Sequence, residues 1–110
     1  MFPQEERLTR GQFDEAFKRG IRVHTPSMLF VYAEGGGRKG AVVVSKKVAK
    51  SAVARNRLRR QIYTVLRAVG PAHGTSIVLL KSAPKGSFGE LLLELEGAAS
   101  RAVGISARSR

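Results

Sequence analysis

Between residues 35 and 89 the chain carries twelve basic side chains and not one Asp or Glu. Each helix or strand in this half must turn its cations to solvent and its apolar side inward, because no local acid can neutralise them. The flanks give no relief. Residues 1–34 set five basic groups against five acidic ones and residues 90–110 three against three, so the formal charge of +12 sits entirely in the middle. A block this one-sided repels itself in a compact state, and its usual compensation is a polyanion, most often nucleic acid.

A chain of 110 residues with 43% hydrophobic content predicts one domain over residues 1–110, burying about 65% of its unfolded surface. The absence of cysteine excludes a disulfide framework and a thiolate metal site. Met1-Phe2-Pro3-Gln4-Glu5-Glu6 has neither a basic nor an apolar leader region, and no apolar run approaches a membrane span of about 18 residues. The expectation is a soluble, cytoplasmic, monomeric domain with a polyanionic partner and no membrane association.

Thr9-Arg10-Gly11-Gln12 fits a capping box, with Leu8 and Phe13 at the staple positions and Gly20 as the C-terminal stop. A helix over about 10–19 follows, with Phe13 and Phe17 one turn apart on one face. Residues 1–8 are expected to form a frayed arm. Ile21–His24 and Ser27–Ala33 read as strands, the second apolar on both faces and so covered on both sides. Gly35-Gly36-Gly37 reads as a hairpin loop, Lys39–Ser45 as a third strand and Thr75–Leu80 as a fourth. Between the last two lies a helix from about Ala52 to Val69, ending at Gly70-Pro71. Ser82-Ala83-Pro84-Lys85-Gly86 is a loop, and Ser87 caps a last helix with Leu91, Leu92 and Leu95 as its apolar stripe. Residues 102–110 are expected to fray. The order α-β-β-β-α-β-α gives an α+β, two-layer α-β sandwich.

The segment from Lys46 to Arg67 is the most informative. At 100° per residue, Ala54, Leu58, Ile62, Val65 and Leu66 share one side and should face the sheet. Asn56, Arg60, Tyr63 and Arg67 share the opposite side, flanked by Arg57 and Arg59, while Arg55 lies nearer the apolar margin, where it can reach around the helix end. Lys46, Lys47 and Lys50 precede the helix in a basic connector. Arginine can hold phosphate bidentately and stack on a base, an amide can read a base edge, and a tyrosine can stack on an unpaired base. With no acid at i±4, this strip reads as a nucleic-acid surface rather than a salt-bridged solvent face.

Phe13, Phe17 and Tyr32 have two readings: ordinary core, or a stacking platform for a single strand in an open groove. Catalytic constellations are missing. His24 and His73 lie in loop-like contexts, with no metal-ligand spacing and no nucleophile motif, and Glu90 and Glu94 are expected to face solvent. The expected catalytic and metal-ligand sets of this chain are therefore empty.

Val44-Ser45-Lys46-Lys47-Val48, followed by Ala52-Val53-Ala54-Arg55-Asn56-Arg57-Leu58-Arg59-Arg60, resembles the signature of the bacterial ribonuclease P protein subunit. Arg55-Asn56-Arg57 looks like that family's arginine–asparagine–arginine motif. Arg7-Leu8 with Phe13 and Phe17-Lys18-Arg19-Gly20 is similar to its first helix, Phe30-Val31-Tyr32 to its aromatic strand, and Ser76–Leu80 and Ser87–Leu91 to its last strand and helix start. The likeness covers about residues 7–96.

The resemblance implies a fold like the second domain of ribosomal protein S5, with a left-handed β-α-β crossover around the central helix, against the general right-handed rule. It also implies a ribonucleoprotein endonuclease whose catalytic RNA, with magnesium held mainly by RNA phosphates, removes the 5′ leader of precursor tRNA. The implied partners are that RNA, in a 1:1 complex, and the leader. By position, Arg55, Asn56, Arg57, Arg59 and Arg60 would contact RNA, with Lys46 and Lys47 extending the surface. Phe13, Phe17 and Tyr32 would line a leader cleft between the sheet and the central helix. Tyr63 stands where many members carry arginine. A structural RNA binder such as a small ribosomal protein, a major-groove DNA-binding helix and a membrane-surface helix share the charge, but none of them needs both the contiguous Ser45–Arg60 signature and the aromatic set.

Overall fold

A computed structural model describes residues 7–82 and 88–108. Helix α1 spans Arg10–Arg19. Its capping box forms as the sequence predicts: the Gln12 amide N–H donates to Thr9 Oγ1 at 3.2 Å, and the Thr9 N–H donates to Gln12 Oε1 at 3.0 Å. Gly20 ends the helix, but in extended backbone (φ −74°, ψ 159°) rather than the left-handed form that C-terminal glycines commonly adopt. Close approach demands glycine here. A Cβ on residue 20 would lie 2.5 Å from Cγ1 of Val31 and 2.6 Å from the Ala16 carbonyl oxygen.

The strands are β1 (Ile21–His24), β2 (Met28–Ala33), β3 (Lys39–Val44) and β4 (Thr75–Leu80), in the sheet order β1-β2-β4-β3. β1 and β2 form an antiparallel hairpin whose turn is held by Thr25, through its N–H to the Met28 carbonyl at 2.9 Å. β4 pairs antiparallel with β2 and parallel with β3. Gly35–Gly37 is therefore not a hairpin loop. β2 and β3 never pair, because the later strand β4 occupies the place between them, and the 34–38 connection steps over its end. Gly35 and Gly36 have φ of 117° and 72°, which a side chain there would strain.

Helix α2, Ala52–Val69, links β3 to β4, and helix α3, Phe88–Arg108, follows β4. Alternation along the strands builds two apolar layers. Met28, Phe30 and Tyr32 of β2 join Val42, Val44, Val78 and Leu80 beneath Ile62, Val65 and Leu66 of α2 and Leu91, Leu95 and Ala98 of α3. Each fully buried aliphatic side chain there contributes about 1.5–3 kcal/mol. On the opposite face Leu29, Val31, Ala33 and Ile77 pack under Ala16 of α1. The α+β class and element order are those expected. The sheet is covered on both faces, as the doubly apolar β2 requires, so α1 adds a partial third layer to the two-layer sandwich.

Three expectations need correction. The stretch 102–108 is not frayed: α3 runs to Arg108, Ala102 is fully buried, and Ser106 donates to Oε2 of Glu34 at 2.8 Å. Residues 7 and 8 are not a loose arm either, since Arg7 bridges Gly40 on the free edge of β3 and Leu8 packs on the α1-side core. Glu94 does not face solvent. Its carboxylate accepts from the Thr25 hydroxyl and from the Ser27 N–H at 3.1 Å, tying α3 to the β1–β2 turn. The rest of the arm, most of the loop before α3 and the Ser87 cap fall outside the described residues. Among the described residues, no helix is long and apolar enough to cross a membrane.

Candidate nucleic-acid interface

Ser51 starts α2, its hydroxyl accepting from the Ala54 N–H at 3.0 Å. From there the periodicity is realised. Ile62, Val65 and Leu66 are buried against β3 and α3, leaving Asn56, Arg57, Arg60 and Arg67 exposed on the outer side and Arg59 half-buried. Asn56, Arg59, Arg60 and Tyr63 together line an open hollow of about 280 Å³. Amide, guanidinium and phenol thus surround one space, a donor set suited to a phosphate or a base. Tyr63 is not wholly on the outer face, because it is half-buried and packs against the core beneath α2 and α3.

Arg55 has an internal task. Its Nη1 donates to the carbonyls of Ala49 at 3.1 Å and Lys50 at 2.8 Å, curling around the start of α2 as its marginal position predicts. It fixes the connector that carries Lys46, Lys47 and Lys50, all three exposed. Arg38 is also used internally, donating to the Leu66 carbonyl at 3.2 Å.

The aromatic set divides. Phe13 and Phe17 are stacked, with centroids 5.9 Å apart and planes 15° from parallel. They form the wall of an open groove of about 390 Å³ whose other lining residues are Asp14, Lys18, Val43 and Leu79. Tyr32 is not in it. Strand alternation puts Tyr32 on the α2 and α3 face, 7% exposed and inside the main core, whereas Phe13 and Phe17 lie across the sheet. The expected place of the cleft changes with it. The apolar side of α2 is sealed onto the sheet, so the groove lies between the sheet and α1. Val43 and Leu79 were missed as groove residues. The signal for them was strand parity: they share a face with Leu29 and Val31, and Val31 is the residue next to Tyr32.

Groove and basic surface lie on opposite faces of the sheet but meet at one end of β3. Val43 lines the groove, and the chain passes in three residues to exposed Lys46 and Lys47. Among the described residues, no three His, Asp or Glu side chains converge as metal ligands.

Known proteins match this chain in sequence and in fold. The chain aligns at 37% identity over 76 residues with the ribonuclease P protein component of Microcystis aeruginosa, covering 63% of each chain. With the ribonuclease P protein component of a Nitratiruptor species it shares 42% over 52 residues, 47% of each. It thus spans less than two thirds of the length of these curated relatives. The fold is that of the Thermotoga maritima RNase P protein (TM-score 0.75, 22% identity, 87% of this chain and 96% of that one). The Staphylococcus aureus RNase P protein has it too (TM-score 0.64, 18% identity, 92% and 94%). A family model described as Ribonuclease P matches residues 2–103, nearly the whole chain from the arm through most of α3, and on that match the chain belongs to the ribonuclease P protein family.

Proposed function

We propose that this chain acts in the cytoplasm as the protein subunit of a 1:1 ribonucleoprotein. In this reading it binds the catalytic RNA of ribonuclease P and the 5′ leader of precursor tRNA, and so assists magnesium-dependent endonucleolytic removal of the leader. The observation that carries the reading is the meeting of two unlike surfaces at the end of β3. One is an apolar groove walled by stacked Phe13 and Phe17; the other is an acid-free basic surface. A folded RNA needs the second, and a single strand leaving it needs the first.

Each residue has a task. Lys46, Lys47, Lys50, Arg57 and Arg60 neutralise phosphates of the catalytic RNA, while Asn56, Arg59 and Tyr63 receive a nucleotide in their hollow. Arg67 extends the strip by one further turn. Arg55 positions the lysine connector through its two carbonyl contacts. Phe13 and Phe17 offer ring faces to leader bases, and Lys18 at the rim lies within reach of the leader backbone. Magnesium would be held mainly by phosphates of the partner RNA and would there supply the activation of water and the stabilisation of the leaving oxygen. This chain's own residues do not fit the ion: no trio of ligands converges among the described residues, and the Glu94 carboxylate is already engaged by Thr25 and Ser27. In this reading the chain contributes binding and orientation, and the bond chemistry belongs to the RNA.

The test is cleavage of a precursor tRNA by a bacterial ribonuclease P RNA at low magnesium, with and without this protein. Protein-dependent cleavage at the leader junction is the expected result. Tight RNA binding with no gain in cleavage would make the chain a structural RNA binder instead.

A further inference from the structure

The groove wall does not end at Phe17. The guanidinium carbon of Arg22 lies 4.7 Å from the Phe17 ring centroid, and its Nη2 donates to the Phe17 carbonyl at 2.8 Å. Phe13, Phe17 and Arg22 therefore form a ladder of three planar groups that passes from α1 onto β1. The sheet register runs the same way, with Leu29 buried in the α1-side core between the groove floor and β1. Val43 pairs with Leu79, Leu79 with Leu29, and Leu29 with His24, so these four residues form one row across all four strands on the α1 side. Arg22 pairs with Val31 and so shares that face. Arg22 and His24 are both exposed.

From this alignment we infer that Arg22 and His24 form a distal subsite for the single-stranded leader, beyond the aromatic part of the groove. The inference rests on the reading of the groove as the leader site. Direction follows from the chain. The β3 end of the row adjoins Lys46 and Lys47, where the catalytic RNA sits in that reading, so the β1 end lies farther from the cleavage point. Three inter-strand steps of about 4.8 Å separate β3 from β1, roughly 14 Å in all. That distance holds about four nucleotides at the stacked rise of about 3.4 Å, and fewer if the strand is stretched. At the far end a guanidinium set over the Phe17 ring presents its charge to a phosphate, or its open face to a base. His24 adds a ring and two nitrogens beside it.

The experiment is a leader-length series. Precursor tRNAs with leaders from one to about ten nucleotides are bound to holoenzyme reconstituted from a bacterial ribonuclease P RNA and either wild-type protein, Arg22→Ala, Arg22→Lys or His24→Ala. With wild-type protein, affinity should rise with leader length and then level off. Arg22→Ala should weaken the longer leaders by about five- to tenfold, on the scale of one lost stacking contact, and leave the shortest unchanged. Arg22→Lys should recover part of the loss, since it keeps the charge and loses the plane. His24→Ala, which removes no packing, should show a smaller loss with the same length threshold. Equal losses at every length would make Arg22 a support for α1 and overturn the subsite, as would no loss in either alanine variant. A wild-type protein indifferent to leader length would instead overturn the groove reading itself.

Discussion

Arg55 and Lys50 are joined by a 2.8 Å hydrogen bond from the guanidinium Nη1 to the Lys50 carbonyl, so one basic residue of the interface holds the backbone that presents another. Arg55 and Arg60, five positions apart on the same helix, therefore do different work. Replacing Arg55 by Ala should lower stability by about 1–2 kcal/mol, because two carbonyls lose a charged donor. Arg60→Ala should stay within about 0.5 kcal/mol of wild type and reduce the slope of log affinity against log salt by about 0.7–0.9. Urea unfolding and RNA titrations at several salt concentrations separate the two, and an Arg55→Ala protein as stable as wild type would show that the two contacts contribute nothing.

Phe17 and Tyr32 lie on opposite faces of the sheet, and leader binding should divide them. Phe17→Ala should reduce the preference for precursor over mature tRNA by about 1–3 kcal/mol, the range for one base–aromatic stack. Tyr32→Phe should leave that preference unchanged. Comparing the affinities of the two RNAs cancels any general loss of folded protein. A Tyr32→Phe effect confined to the precursor would restore Tyr32 to the leader site.

Tyr63 gives the hollow an aromatic ring beside Asn56, Arg59 and Arg60. Tyr63→Arg should steepen the salt dependence of RNA binding by about one phosphate contact, or about 0.7–0.9 in slope. It should also cost some stability, because the ring packs on the core beneath α2. An unchanged slope would mean that position 63 does not face RNA phosphate.

Gly20 and Gly11 offer a stability contrast within one helix region. A Cβ at Gly20 meets Val31 and the Ala16 carbonyl well inside contact distance, while one at Gly11 meets nothing within 4 Å. Gly20→Ala should destabilise by about 1–3 kcal/mol, and Gly11→Ala should stabilise by about 0.5–1 kcal/mol. Denaturant midpoints measured at constant slope would decide the pair, and equal midpoints would count against the close approach of α1 to β2.

Helix limits were legible because their signals are local. Thr9 and Gln12 bond each other across one turn, and the apolar period of α2 is unbroken from Ala54 to Leu66. The basic strip was legible for the same reason. Sheet order was not, since nothing near Gly35–Gly37 reports that a strand from much later in the chain will enter between β2 and β3. The parity of β2 was legible only as two apolar faces. Which face meets α1 depends on Ala16 and Gly20 approaching Val31, a contact between separate elements. Tyr32 was misplaced on that point alone. Glu94 looked solvent-facing because its partners, Thr25 and Ser27, lie at the other end of the sequence.

The place of β4 has a consequence for how the protein comes into being. Leu29 and Val43, on β2 and β3, touch no common strand until Leu79 lies between them. A nascent chain that has emerged only through α2 already displays every arginine of the motif, yet it has no groove floor. Joining the two halves waits on a long-range closure, the slow kind in sheet folding. Fragments ending before residue 75 would carry the basic charge without the groove floor, so any grip on a single strand there can arrive only with the later part of the sequence.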